Sequence, residues 1–203
     1  MAGFYENKIL PRLLDAACGM PQMTRLRERY VSQAVGKVLE IGIGSGLNLP
    51  HYTAQVTSIT GIDPAAALTA KAAERAAAIA APVEVLGVSG EQMPCENQSF
   101  DTVVCTWTLC SIPEPEKAVS EMRRVLRPGG KLLFVEHGRS DEAGVARWQR
   151  RIEPLWKKLA GGCHLTRRPE ELLSAGGFTI GQTHTGYEPG PKIAAFMIHG
   201  EAS

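Results

Sequence analysis

The chain has 203 residues, with 22 Lys and Arg against 21 Asp and Glu and a net charge of +1. That length suits one domain with a substantial buried core, and the charge balance excludes the global positive field of a nucleic-acid binder. Five cysteines, Cys18, Cys95, Cys105, Cys110 and Cys163, occur without a C-x-x-C pair, which argues against a zinc site or a disulfide framework and suits a reducing cytoplasm.

Residues 1–8 carry neither a basic n-region nor an apolar h-region, and no run approaches the ~18 apolar residues of a membrane span. A soluble, cytoplasmic protein without a transmembrane segment is expected. Residues 1–35 read as an N-terminal helical cover. Ile9, Leu10, Leu13, Leu14 and Ala17 recur at helical spacing, with Pro11 as a kink or a helix start. A second helix over residues 23–33 carries Arg25, Arg27 and Arg29 beside Leu26 and Tyr30. It suits either an amphipathic cover on a sheet or a lid over a ligand.

Residues 36–137 read as a cofactor-binding core. Val38, Leu39 and Ile41 form a buried strand, and Gly42, Gly44 and Gly46 follow at every second position. Such glycines let the backbone turn sharply and approach a ligand. Asp63 closes the next run, Ser58-Ile59-Thr60-Gly61-Ile62, where a carboxylate can accept both hydroxyls of a ribose. The pair indicates a nucleoside cofactor. The dinucleotide pattern G-x-G-x-x-G needs a glycine where Leu47 stands. The spacing here is E-x-G-x-G-x-G, beginning at Glu40.

Pro64 opens an alanine-rich helix over residues 65–80, favoured by alanine's propensity. Residues 83–86 form a third strand, followed by the loop Gly87-Val88-Ser89-Gly90-Glu91-Gln92-Met93-Pro94. A fourth strand over residues 102–106 leads to Trp107. A helix over 116–126 ends at Arg127-Pro128-Gly129-Gly130, and residues 131–136 form a fifth strand. This alternation of strand and helix builds βαβ units on a parallel sheet.

Residues 138–203 read as substrate-side helices and closing strands. Val145, Trp148, Ile152, Leu155, Trp156 and Leu159 share a helical face interrupted by Pro154. Arg147, Arg150, Arg151, Lys157, Lys158, Arg167 and Arg168 surround it against the single acid Glu153. Core packing is the default for these tryptophans, and peripheral contact with anionic lipid or a hydrophobic substrate is the alternative. A helix over 170–175 and strands over 178–183 and 193–198 complete the chain.

The ordered set Leu39-Glu40-Ile41-Gly42-Ile43-Gly44-Ser45-Gly46, Gly61-Ile62-Asp63, Glu91-Gln92-Met93-Pro94 and Arg124-Val125-Leu126-Arg127-Pro128-Gly129-Gly130 resembles class I S-adenosylmethionine-dependent methyltransferases. The resemblance implies an α/β, doubly wound, Rossmann-like fold with seven strands in the order 3-2-1-4-5-7-6, the seventh antiparallel. It implies S-adenosyl-L-methionine as cofactor, with Gly42, Gly44 and Gly46 bordering the methionine part and Glu40 supporting its amine. Asp63, followed by Pro64, would take the ribose. The family usually has Gly-Asp-Ala-Glu in the adenine loop, and the matching residues here are Val88-Ser89-Gly90-Glu91. Ser89 is then an uncharged partner of the adenine, with the Gly90 amide and the Glu91 carboxylate sharing the contact.

Thr108-Leu109-Cys110-Ser111, Phe134-Val135-Glu136-His137 and Gly162-Cys163-His164-Leu165-Thr166-Arg167 resemble the thiol S-methyltransferase group. The core also resembles bacterial ubiquinone and phospholipid methyltransferases. Thr106 and Trp107, at a strand's carboxyl end, should face the methyl group, although Trp107 equally suits a core cap. His137 is the better-placed base and His164 the other. The expected activity is methyl transfer to a small-molecule acceptor, foremost a thiol. A phospholipid amine, a quinone ring carbon, a nicotinamide oxidoreductase and a non-catalytic cofactor-binding regulator are the alternatives.

Overall fold

The computed structural model describes residues 10–203; Ile9, assigned to the first helix by spacing, and residues 1–8 lie outside the described residues. The strands are β1 (Gly36–Ile41), β2 (Val56–Ile62), β3 (Val83–Leu86), β4 (Phe100–Thr106), β5 (Leu126–His137), β6 (Ile180–Tyr187) and β7 (Phe196–Ala202). They form one sheet in the order β3-β2-β1-β4-β5-β7-β6. Pairing is parallel from β3 through β5, while β7 runs antiparallel to both of its neighbours. The expected fold class is the one observed.

Strand periodicity divides the core between the two faces of the sheet. Leu39, Val103, Leu132 and Phe134 point one way, against Val119 and Met122 of α4 (Pro115–Val125) and Leu173 of α6 (Pro169–Ala175). Val38, Val104 and Leu133 point the other way, against Leu49 and Ala72 of α3 (Ala66–Ala76). Burial on both faces is why these strands read as continuous apolar runs. Leu10–Cys18 (α1) and Pro21–Tyr30 (α2) form the N-terminal cover, and Met23, Leu26 and Tyr30 pack on Val135 and Met197.

Several element bounds differ from expectation. The alanine-rich helix stops at Ala76 rather than residue 80, and Ile79 and Ala81 pack on the core beyond its end. Residues 127–130 form a bulge inside β5, whose pairing steps from Phe100↔Leu126 to Thr102↔Lys131. Helix α5 (Ala143–Leu159) runs through Pro154; the proline lies on the exposed face, where water can satisfy the carbonyl it leaves free. Residues 192–195 form a helical turn, α7 (Lys192–Ala195), entered from Pro191, so the last strand starts at Phe196. Trp148 is 57% exposed, which corrects its assignment to the core. Among the described residues, no helix is long and apolar enough to cross a membrane.

Candidate active site

Strand order reverses between β1 and β4, and ligands of such sheets bind beyond the carboxyl strand ends at that point. A cavity of about 810 Å³ opens there, within the usual size range for small-molecule sites. Its walls include the glycine turn, Asp63, Pro64, Ser89, Gly90, Thr106, Trp107 and His137, together with residues of α1, α2 and α5.

Each glycine of the turn has a separate reason. Gly44 has φ +54, and a Cβ there would meet only the Gly42 carbonyl oxygen, at 3.9 Å. The space beside it is cavity. Gly46 has φ +80, and its Cβ would come within 2.9 Å of Leu49 and 3.1 Å of the Ala72 backbone. That glycine permits the approach of α3. No α-helix starts at the turn, which continues into a 3-10 turn at Leu49–His51. A pyrophosphate would therefore lack the helix N-terminus that the dinucleotide arrangement supplies.

Beneath the turn lies a buried polar chain. Glu40 accepts hydrogen bonds from Asn48 Nδ2 at 2.9 Å and from the Tyr52 hydroxyl at 2.8 Å. Asn48 Nδ2 also donates to Thr106 Oγ1 at 3.0 Å, and Asn48 Oδ1 accepts from Arg27 Nε at 2.9 Å. Burial pushes Glu40 up to about 7, against the opposing pull of Tyr52, Asn48 and Arg27. Arg27 is 4% exposed. It also donates to the Cys18 carbonyl at 2.6 Å and stacks 4.5 Å over the Trp107 ring. The sequence does not mark Arg27 and Asn48 as partners, because their link spans 21 residues of chain. Asn48's place just after the glycine turn was the available signal.

Asp63 accepts from the Gly44 amide at 3.1 Å and from the Ala65 amide at 2.8 Å. Burial raises its pKa, and those two N–H groups oppose the shift. Ser89 and Gly90 line the cavity. Ser89 donates to Glu91 at 2.6 Å, while Glu91 accepts from the Glu114 amide at 2.7 Å. Glu91 is thereby held at the loop's outer side rather than in the cavity wall.

Trp107 has φ +50, a left-handed conformation that is rare for a bulky residue and recurs at functional sites. It lines the cavity and also packs on the Met23, Leu26 and Tyr30 cluster. Glu136 organises the following turn. Fully buried, it accepts backbone bonds from Thr108, Leu109 and Cys110 at 2.8, 3.0 and 3.2 Å. Its neighbour His137 lies with Nδ1 3.5 Å from Cys163 Sγ. Burial opposes the charged ring, but contact with Cys110 outweighs it and moves the His137 pKa upward. His164 is instead 3.3 Å from Glu153 and does not line the cavity. Trp156 does.

Residues 39–134 match the methyltransferase domain family. Thiol S-methyltransferase TMT1B of Rattus norvegicus is 39% identical over 136 residues, covering 64% of this chain and 54% of that protein. Phosphatidylethanolamine N-methyltransferase of Cereibacter sphaeroides is 38% identical over 119 residues, covering 58% of each. The chain thus spans little more than half the length of the curated relatives it matches. A solved S-adenosylmethionine-dependent methyltransferase of Methanosarcina mazei shares the fold, with a TM-score of 0.64 at 23% identity, covering 84% of this chain and 92% of that one.

Proposed function

We propose that this chain, which matches the methyltransferase domain family over residues 39–134, moves the methyl group of S-adenosylmethionine to a small acceptor, foremost an apolar thiol. One observation carries the reading: a single cavity of about 810 Å³ runs from the glycine turn and Asp63 to Trp107 and His137. It has room for a nucleoside cofactor with an acceptor beside it.

The polar groups fit the cofactor's parts. Glu40 and Arg27, of opposite charge, line one end and suit an α-ammonium and an α-carboxylate. Asp63 suits the ribose hydroxyls, with Pro64 shaping the turn after it. Ser89 and the Gly90 backbone suit the adenine. Gly44 leaves the backbone bare where the ligand passes, and Gly42 and Gly46 hold the turn in place. Thr106 and Trp107 stand between these groups and the acceptor end.

When bound, the cofactor supplies an already activated methyl group on a sulfonium. The protein's part is then to position two reactants in line and to exclude water. Trp107, Trp156, Ile193 and Met197 give the acceptor end its apolar wall. The acceptor's S–H proton would leave to solvent, and this wall would hold the resulting thiolate in line with the methyl group that the cofactor would supply. A thiol with pKa ~8.5 is a few per cent ionised at neutral pH and already nucleophilic.

A second acceptor class has its own observation. Trp148 and Leu155 are 57% and 63% exposed on α5, with Arg151 5.4 Å over the Trp148 ring and other cations nearby. Such a face suits peripheral contact with anionic lipid and hence a phospholipid amine.

The test is a set of pH–rate profiles with alkyl thiols, phosphatidylethanolamine and a demethylquinol. Thiol turnover should rise with pH as the thiolate fraction rises. No thiol turnover at any pH, with activity on either other acceptor, would overturn the thiol reading. Methyl transfer to none of them would overturn the enzyme reading.

A further inference from the structure

We propose that Cys110, His137 and Cys163 form a three-ligand site for a soft divalent cation of the zinc class, with its fourth position open to the acceptor end of the cavity. The three residues come from distant parts of the chain. Their ligand atoms nevertheless all lie within 4.8 Å of one another. Cys163 Sγ is 3.5 Å from His137 Nδ1; tetrahedral zinc, with bonds of ~2.1 Å to nitrogen and ~2.3 Å to sulfur, sets that separation at about 3.6 Å.

Each ligand has a firm support. His137 ends β5 in register with Met197. Cys110 belongs to the turn that Glu136 gathers through three backbone bonds. The amide of His164, next to Cys163, donates to the Cys110 carbonyl at 2.8 Å, which ties the two cysteine segments together. Ala194 stands with His137 on the cavity wall. The Trp156 indole N–H is buried with no hydrogen-bond partner, and Trp156 lines the same cavity as Cys163. A metal-bound thiolate is a stronger acceptor for that N–H than a thiol is.

Two thiolates and an imidazole suit zinc. Three protein ligands with an open fourth place is the arrangement of catalytic rather than structural zinc. All three residues line the cavity, so the open place is available to an acceptor. This consequence rests on the thiol reading above. A thiol binding there would lose its proton to solvent and stay on the cation as a thiolate. Its sulfur would then form the new methyl bond as the sulfonium bond breaks, with no change in the cation's oxidation state.

The experiment titrates reduced, metal-stripped protein with Zn²⁺ by calorimetry and with Co²⁺ by absorption spectroscopy. One equivalent should bind, with thiolate-to-cobalt charge-transfer absorbance. Cys110→Ser and Cys163→Ser should each weaken binding beyond the ~10–100-fold that loss of an outer partner costs. Cys95→Ser, outside the cavity, should bind as wild type, and thermal melts identify any variant that fails to fold. Adding an alkyl thiol should shift the cobalt ligand-field bands and move the rise of the pH–rate profile to lower pH than in stripped protein. No stoichiometric uptake, or uptake unchanged in both serine variants that fold, would overturn the site. So would a Cys110–Cys163 disulfide formed in place of cation uptake. Cation uptake without thiol turnover would keep the site and remove the acceptor reading; thiol turnover without uptake would do the reverse.

Discussion

The Asp15 carboxylate of α1 accepts the hydroxyl proton of Ser45 in the glycine turn, so the N-terminal cover is fastened directly to the loop that borders the cofactor end of the cavity. Lys71 and Arg75 of α3 reach the same carboxylate at 3.2 and 3.1 Å, and Arg75 also donates to the Ser45 carbonyl at 2.5 Å. Cover, turn and helix meet on one side chain. The clasp ties α1 to the wall of the cavity through Ser45.

Replacing Asp15 by Asn should loosen the clasp and weaken cofactor binding by about 1 kcal/mol, the scale of a partly exposed ion pair. Burial disfavours the Asp15 charge, but bonds from Ser45, Arg75 and Lys71 outweigh it and hold the pKa at about 2, below the ordinary 3.8. A depressed acid contributes stability above its unfolded pKa and loses it as pH falls through the folded one. The clasp should therefore be insensitive to pH between 5 and 8 and fail between about pH 4 and pH 2. Cofactor titration of the variant, with melts of both proteins across that acid range, checks this; unchanged affinity would detach Asp15 from the cofactor site.

Glu40 behaves oppositely. Its folded pKa of about 7 lies above the ordinary 4.5, so its ionisation costs stability that accumulates from pH 4.5 upward. At pH 8 the cost is on the order of 3 kcal/mol. An ammonium group placed beside Glu40 would favour the carboxylate. Cofactor affinity should thus rise with pH up to about 7, with proton release on binding. Calorimetry in buffers of different ionisation enthalpy measures that release. Glu40→Gln should abolish it and lose about 1.5–3 kcal/mol of affinity, yet melt no lower than wild type at pH 8. A variant that still releases a proton would assign it to another group.

The glycine turn separates ligand space from packing. Gly44→Val should abolish cofactor binding and destabilise the fold only by the ~1–2 kcal/mol of a left-handed side chain, since cavity is all its Cβ would enter. Gly46→Val should unfold far more, because Leu49 and Ala72 occupy its side-chain space. Asp63→Ala should bind the cofactor about 1.5–3 kcal/mol more weakly and remain folded. Parallel melts and calorimetry compare the three. Normal binding by Gly44→Val, or tighter binding of NADH than of S-adenosylmethionine by wild type, would displace the cofactor assignment.

Much of the fold was legible because its signals are local. The apolar run Val38-Leu39-Ile41, the glycines after it and Asp63 at the end of the next strand each depend on a few neighbouring residues. Trp148 shows where such reading fails. Its spacing marks a helical face, but nothing within the helix says whether that face meets the sheet or the solvent. Residues 193–195 mislead for a related reason. An apolar stretch of that length suits a strand or a helical turn, and Pro191 tips it to the turn.

The sequence by itself determined the alternating architecture, the glycine turn and the acidic residue that follows it, because backbone geometry and strand period are properties of adjacent residues. Only the tertiary structure decided that Arg27 and Asn48 join Glu40 beneath the turn, that Asp15 clasps Ser45, and that Glu91 turns outward to the Glu114 amide. It alone gathered Cys110, His137 and Cys163, which share no motif along the chain. The physical reason is the sheet order: β4 and β5 lie beside β1 although β2 and β3 intervene in sequence, so side chains from distant strand ends converge on one cavity.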